Sequence, residues 1–222
     1  MKIIYWSDYA CPYCYIGLTN LRQAIAALNP PEPILLEARA FELDPEAERT
    51  CTGSMLERFV GRYHMSWEDA TRRIVGVCDL GTQAGLDLRY DEARYTNTFD
   101  AHRLTKLAQS KADPALTERL SEGLFRAFFT ELRELADPAV LTDVAVAAGL
   151  DGAEVRAMLD TEDRAEQVLR EEEQAKRLKI ATVPYFVLDG KYAIPGAVPV
   201  PDMLRSLEVV LAENQREREG QS

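Results

Sequence analysis

Two cysteines separated by two residues, Cys11 and Cys14, are the side chains of this sequence best suited to chemistry. They follow a short β-rich run at residues 2–7 and begin a segment in which apolar residues recur at helical spacing. Unpaired main-chain N–H groups at a helix N-terminus favour the thiolate, which is the form that attacks disulfides. The pattern predicts that Cys11 attacks and that Cys14, one turn further on, resolves the mixed disulfide. Pro12 and Tyr13, between them, are expected to contact substrate and to tune the reduction potential.

A metal site is the main alternative for a close cysteine pair. Zinc usually needs four ligands, and a second Cys-x-x-Cys pair or a paired histidine motif is the usual sign of such a site. The sequence contains neither, so we expect no metal and favour redox chemistry. The other candidate ligands are scattered along the chain: Cys51, His64, Cys78 and His102.

The composition is that of a globular protein with a sizeable core. The 222 residues are 46% hydrophobic and carry a formal net charge of −11. An acidic surface repels phosphate backbones and anionic lipids, so we expect neither nucleic acid nor a membrane as a partner. No segment is long and apolar enough to cross a bilayer, and the cysteine pair follows the first residue too closely for a secretory leader. We therefore expect a cytoplasmic protein, in which a close cysteine pair serves catalysis better than it serves as a structural disulfide.

The order of predicted elements is that of an α/β core divided by a helical block. A strand at 2–7, a helix at 12–28 and a strand at 34–43 form a βαβ unit, which favours a parallel pair of strands. The stretch from 54 to 178 is rich in Ala, Leu, Glu and Arg and predicts six or so helices. We expect Ser66 to cap one of them, Pro114 to open another, and Asp137-Pro138 to start a helix that ends at Gly149. We assign residues 1–48 and 179–222 to the core domain and residues 49–178 to an all-helical insertion.

The second half of the core is predicted as a hairpin followed by a helix. Apolar runs at 182–188 and 191–194 flank Asp189-Gly190, a pair typical of tight hairpin turns. A last helix is expected to begin near Pro201. Pro184 leads the first of these strands, where proline is tolerated. If its peptide bond is cis, the Val183 main chain is left free to hydrogen-bond an extended peptide substrate.

Two segments carry a family resemblance that covers essentially the whole chain. Asp-Tyr-Ala-Cys-Pro-Tyr-Cys-Tyr-Ile-Gly at 8–17, joined to Thr-Val-Pro-Tyr-Phe at 182–186, resembles the DsbA-like oxidoreductases of the FrnE type. The resemblance implies a thioredoxin-like fold with a helical insertion, an attacking first cysteine, a resolving second cysteine and a cis Pro184. The stretch at 97–104 is similar to the family's Asn…Ala-His segment, so Asn97 and His102 become candidate substrate-binding residues, although a structural role is the simpler interpretation of His102.

The favoured function is a protein disulfide reductase or isomerase with no bound cofactor. Its expected partners are protein disulfides and dithiols, with glutathione as a candidate electron donor or co-substrate. The oligomeric state is left open. Cys-Pro-Tyr-Cys is also the glutaredoxin signature, and the related kappa-type glutathione transferases and chromene-carboxylate isomerases share the divided fold, which gives a glutathione-dependent alternative. A third possibility is a non-enzymatic DsbA-like adaptor that hands partners to a protease or regulator.

Several other residues are expected to be structural. Cys78 lies among apolar residues on a predicted helix and is interpreted as a buried, inert thiol. Both tryptophans, Trp6 and Trp67, are assigned to the core or the cleft wall. The acidic run at 171–173 is interpreted as a solvated helix face.

Overall fold

A four-stranded mixed sheet and nine helices make up the part of the chain that the computed structural model describes, residues 1–50 and 53–219. Cys51 lies outside these residues. The strand order in the sheet is β2-β1-β3-β4. In chain order the elements are β1 (Lys2–Ser7), α1 (Pro12–Leu28), β2 (Leu35–Ala40), α2 (Met55–Tyr63), α3 (Trp67–Gln83), α4 (Phe99–Gln109), α5 (Pro114–Phe129), α6 (Pro138–Ala148), α7 (Gly152–Leu159), α8 (Ala165–Arg177), β3 (Tyr185–Leu188), β4 (Tyr192–Pro195) and α9 (Val200–Glu219).

The predicted βαβ unit is confirmed. β1 and β2 are parallel, with Lys2 opposite Leu35 at the start of the ladder and Ser7 opposite Ala40 at its end. The second strand stops short of the predicted residue 43. The physical reason is that the Leu43 N–H, 2.7 Å from the Asp8 carboxylate, donates to that side chain instead of continuing the ladder.

The predicted hairpin is also confirmed. β3 pairs antiparallel with β1 and with β4. Asp189 and Gly190 have φ values of 46° and 70°, the left-handed conformation that this turn requires. α9 follows the hairpin and packs against α1.

Seven helices separate β2 from β3 in the described chain, close to the six or so predicted. Five of them, α2, α3, α5, α6 and α7, begin after a Ser or Asp side chain that accepts main-chain N–H groups, including the predicted cap Ser66 and the Asp residues before the predicted starts at Pro114 and Pro138. Among the described residues, no side-chain hydrogen bond caps α4 or α8. Gly149 ends α6 in a left-handed conformation, as predicted. The apolar side chains of these helices and of the sheet form one continuous core, in which Phe125, Phe128 and Phe129 of α5 are fully buried.

A buried ionic contact joins the helical block to the sheet. Glu171 of α8 accepts hydrogen bonds from Lys106 Nζ at 2.8 Å and from the Ala40 N–H at 2.8 Å. Arg39 donates to the same carboxylate at 2.9 Å. The interpretation of 171–173 as a solvated face is therefore wrong for Glu171, which is only 7% exposed. Its partners lie far away in sequence, so the local charge pattern does not reveal them.

The two tryptophans have different environments. Trp6 is buried, as predicted, and its Nε1 donates to the main-chain oxygen of Glu171. Trp67 is 57% exposed at the start of α3, so its assignment to the core or the cleft wall is wrong. In residues 1–50 and 53–219, no helix combines the length and the apolar character needed to span a bilayer.

A glycine in α1 allows that helix to approach the segment before β3. A Cβ atom at Gly17 would lie 2.8 Å from Pro184 Cγ and 3.3 Å from the Ala197 main chain. We expect Gly17→Ala to lower the free energy of unfolding by about 1–3 kcal/mol, because an extra methyl group in a packed contact forces its neighbours apart. Urea denaturation monitored by circular dichroism measures this change.

Gly76→Ala is the matched control. Gly76 lies in the interior of α3, and a Cβ atom there meets nothing within 4 Å. Alanine at this position should raise the free energy of unfolding by about 0.5–1 kcal/mol through its better helix propensity. Equal stabilisation by both substitutions would show that the approach at Gly17 is not tight.

Candidate active site

Cys11 lies in the turn between β1 and α1. It is the N-cap residue of the helix, and Pro12 occupies the first helical position, where its missing N–H has no partner to lose. The Cys11 N–H donates to the main-chain oxygen of Asp8 at 3.1 Å, which closes the turn. The first turn of α1 carries no acidic residue. The Cys11 sulfur therefore lies at the N-terminus of α1, the end of the helix dipole that favours an anion.

Cys14 lies one turn into the helix and is completely buried. Its sulfur accepts the Asp8 N–H at 3.5 Å. Burial, followed by the hydrogen bond to the Cys11 thiol, raises the pKa of Cys14 well above its usual range. Both cysteines are free thiols. The pair therefore combines one sulfur at a helix terminus with one protonated sulfur directly behind it.

The segment before β3 contributes main-chain groups to the same place. The Cys11 sulfur lies 3.6 Å from the carbonyl oxygen of Val183 and is placed to donate to it. The Val183–Pro184 peptide bond is cis, which confirms the prediction for this bond. The Val183 N–H makes no hydrogen bond to any of the described residues. A main-chain donor is thus available beside the reactive sulfur.

An apolar cleft opens in front of Cys11. It is a cavity of about 760 Å³ bounded by the turn at Cys11, by α2 and α3 of the helical block and by the segment before β3. Pro12, Tyr13 and Val183 line it together with Cys11, whereas Cys14 does not. The aromatic part of the wall comes mostly from the helical block: Phe59, Tyr63, Tyr90 and Tyr95.

Two arginines, Arg58 and Arg73, are the only charged side chains among the described residues that line this cleft. The Arg58 guanidinium lies 3.7 Å from the centroid of the Tyr95 ring and forms an ion pair with Asp44. Arg73 lies 5.6 Å from the Phe59 ring centroid. No local pattern in the sequence marks these residues, because only the tertiary fold brings α2 and α3 against the cysteine turn.

The two polar residues assigned by resemblance lie elsewhere. Asn97 donates to Glu42 at 3.4 Å, and His102 is 2% exposed with its ring 5.1 Å from the Tyr9 ring centroid. Neither side chain lines the cleft in front of Cys11. Their contact with substrate stays a prediction, whereas a structural role for His102 agrees with its burial.

Asp8 anchors the cysteine turn from inside. Its fully buried carboxylate accepts the Thr98 hydroxyl at 2.8 Å, the Ala10 N–H at 3.1 Å and the Leu43 N–H at 2.7 Å. His102 Nε2 is 3.8 Å away from the same group. The carboxylate therefore joins the turn, the segment after β2 and the start of α4.

A second buried carboxyl lies near Asp8. Burial, and then the charges of Glu172 and Asp8, raise the pKa of Glu42 to about 8. The pKa of Glu172 is also raised, mainly by burial. The two neighbouring carboxyl groups therefore disfavour the charged form of Glu42 at neutral pH. This acidic cluster behind the cysteines has no signal in the sequence.

Cys78 lies away from the cleft. Its thiol is half-buried and donates to the main-chain oxygen of Leu88 at 3.3 Å, and burial raises its pKa. These features agree with the predicted inert thiol, although the side chain is less buried than expected. Across residues 1–50 and 53–219, His, Cys, Asp and Glu side chains form no group of three or more suited to a metal ion.

This fold, with a dithiol at a helix N-terminus beside a cis proline, defines a thioredoxin-like domain of the redox type. Residues 2–208 match the DSBA-like thioredoxin domain, and the chain belongs to that family. It is similar to the crystal structure of the probable DsbA oxidoreductase SCO1869 from Streptomyces coelicolor, with 33% identity, a TM-score of 0.89 and coverage of 96% of this chain and 91% of that chain.

Two more distant structures share the fold. Cytosolic disulfide reductase DsbM from Pseudomonas aeruginosa, solved with GSH, has 17% identity and a TM-score of 0.65 over 96% of this chain and 100% of that chain. A 2-hydroxychromene-2-carboxylate isomerase has 17% identity and a TM-score of 0.68 over 100% of both chains. One fold thus accommodates proteins described by different activities.

The raised pKa of Glu42 gives a prediction for the pH dependence of stability. A carboxyl whose pKa is about 4.3 in the unfolded chain and higher in the folded chain stabilises the fold at low pH, and this contribution is lost as the pH rises through about 8. Glu42→Gln replaces the carboxyl with a group that does not titrate, so the variant does not lose this stability as the pH rises. At pH 8.5 the variant should exceed the parent protein by about 1–2 kcal/mol in free energy of unfolding, and at pH 4.5 the two should be similar.

Urea denaturation at the two pH values measures the effect. Glu46→Gln is the control, because Glu46 lies exposed on the same connection, and surface substitutions usually change stability by less than about 0.5 kcal/mol. A Glu42→Gln variant that is less stable than the parent at both pH values would contradict this account of the acidic cluster.

Proposed function

We propose that this protein is a thiol–disulfide oxidoreductase that reduces or rearranges disulfides in protein substrates. Cys11 is the attacking thiol and Cys14 the resolving thiol. The observation that carries the proposal is the different position of the two sulfurs: Cys11, 3% exposed, lines the cleft at a helix N-terminus, whereas Cys14 is completely buried behind it and does not line the cleft.

Reduction of a substrate follows from this arrangement in two steps. The Cys11 thiolate attacks one substrate sulfur, the substrate S–S bond breaks, and the released sulfur takes up a proton. Cys14 then loses its proton and attacks the Cys11 sulfur, which releases the second substrate thiol and leaves a Cys11–Cys14 disulfide. The enzyme is oxidised by two electrons, and an external thiol must reduce it again. Isomerisation uses the first step and its reversal on a different substrate sulfur.

Main-chain groups are proposed to align the substrate. The free Val183 N–H lies beside the attacking sulfur, where an extended peptide can accept a hydrogen bond from it. Pro12 and Tyr13 form the adjacent wall of the cleft. A backbone contact of this kind orients the scissile disulfide without selecting the sequence around it, so it suits an enzyme with many protein substrates.

Glutathione is the proposed electron donor, in the cytoplasm. Support comes from the shared fold with DsbM, which is described as a cytosolic disulfide reductase and was solved with GSH. In a compartment where thiols are kept reduced, a dithiol of this kind works as a reductase or isomerase.

Two other functions remain candidates. The isomerase with the same fold supports a glutathione-dependent isomerase or transferase. Such an enzyme would keep its activity when Cys11 is replaced by Ser. A non-enzymatic adaptor would keep its partners and its cellular effect when both Cys11 and Cys14 are replaced by Ser. The presence of both thiols favours the redox enzyme over either.

Single serine variants test the two roles. Cys11→Ser should lower the rate of insulin disulfide reduction by glutathione at least 100-fold, because the attacking sulfur is lost. Cys14→Ser should lower turnover and accumulate a mixed disulfide through Cys11, which mass spectrometry detects. Cys78→Ser is the control and should keep full activity, since its sulfur lies outside the cleft. Retention of insulin reduction by Cys11→Ser would reject the proposal.

A further inference from the structure

The cleft differs in charge from the rest of the protein. The chain has 37 acidic and 26 basic residues, yet none of the described residues lining the cleft is Asp or Glu. Its two charged side chains are Arg58 and Arg73, and no acid lies in the first turn of α1. Both charged side chains that line the cleft are therefore positive, within a protein whose net charge is −11.

The two arginines are not equivalent. Arg58 is only 16% exposed and pairs with Asp44, which also pairs with Arg62, so its charge is partly compensated within the protein. Arg73 is exposed and forms no ion pair with any carboxylate in the described chain. It stands 5.6 Å from the Phe59 ring centroid at the aromatic wall. An unpaired cation beside apolar surface is the arrangement that recognises a ligand with both an apolar and an anionic group.

We infer that the preferred substrates are peptide segments in which an acidic residue lies within a few positions of the reacting cysteine, and that Arg73 determines this preference. The inference rests on the proposed oxidoreductase function and specifies its substrate class. The aromatic wall accommodates the apolar neighbours of the cysteine, and Arg73 pairs with the carboxylate. Arg73 is a specificity-determining residue and takes no part in sulfur exchange.

The acidic surface does not oppose this preference at short range. At physiological ionic strength, charges further apart than about 8 Å are largely screened. A carboxylate bound beside Arg73 is attracted over a short distance, whereas acids beyond the screening length contribute little repulsion. Because this attraction is electrostatic, the preference should weaken as salt is added.

The test measures formation of the first mixed disulfide in the Cys14→Ser background. Each substrate is a nonapeptide with one cysteine joined to thionitrobenzoate, and release of the coloured thiol gives the second-order rate. Three peptides differ only in a Glu, Gln or Lys placed two positions from the cysteine. We expect the Glu peptide to react about 3–10-fold faster than the Lys peptide, the factor that about 1 kcal/mol of attraction gives.

Charge variants of Arg73 assign the preference. Arg73→Gln should make the three rates equal within about twofold, and Arg73→Glu should invert their order. Arg72→Glu is the matched control: Arg72 is the exposed neighbour, pairs with Glu68 and Asp69, and does not line the cleft. It should keep the order of the parent protein.

The outcomes separate this inference from the proposed function. If no peptide releases thionitrobenzoate faster than a free thiol does, the oxidoreductase proposal fails. If all three peptides react rapidly but at one rate, that proposal stands and the charge preference is overturned. The mixed disulfide of glutathione and thionitrobenzoate is a fourth substrate. If the Arg73 variants change the rate of that substrate alone, the assignment to peptides is also overturned, because the cleft then selects the small thiol.

Discussion

The site depends on a turn of four residues, 8–11, that must end β1, begin α1 and present one sulfur to the cleft. The buried Asp8 carboxylate fixes this turn by accepting hydrogen bonds from the turn itself, from the segment after β2 and from Thr98 at the start of α4. Burying a carboxylate is costly unless its oxygens are satisfied, and here three donors satisfy them. The same contact that holds Cys11 in place also holds the helical block against the sheet.

This arrangement divides the work between two parts of the chain. The sheet, α1 and the segment before β3 supply the dithiol and the Val183 main chain. The helical block supplies the aromatic wall and Arg73, which forms no ion pair with the carboxylates of the described residues. Changes in the block can therefore alter what enters the cleft while the sulfur chemistry stays the same. The fold itself is shared with a protein described as a disulfide reductase and with one described as an isomerase, each 17% identical to this chain.

Much of the fold could be predicted because its signals are local. The cysteine spacing after a β-rich run located the start of α1, Asp189-Gly190 located the hairpin, and Ser66 located the start of α3. Glu171 was misjudged because its burial depends on Lys106 and Arg39, which neighbouring residues do not reveal. The roles of Arg73 and Glu42 could not be predicted for the same reason. Only tertiary packing brings Arg73 to the cleft and Glu42 to Glu172.

The central claim is that Cys11 and Cys14 form one redox couple that is reducing enough for a reductase or isomerase. Equilibration of the protein with mixtures of reduced and oxidised glutathione, followed by acid quenching and mass analysis, measures the reduction potential of that couple directly. We expect one intramolecular disulfide and a reduction potential closer to that of thioredoxin, about −270 mV, than to that of DsbA, about −120 mV. A couple near −120 mV would contradict the assignment to reduction or isomerisation, and failure of the two sulfurs to link would contradict the mechanism itself.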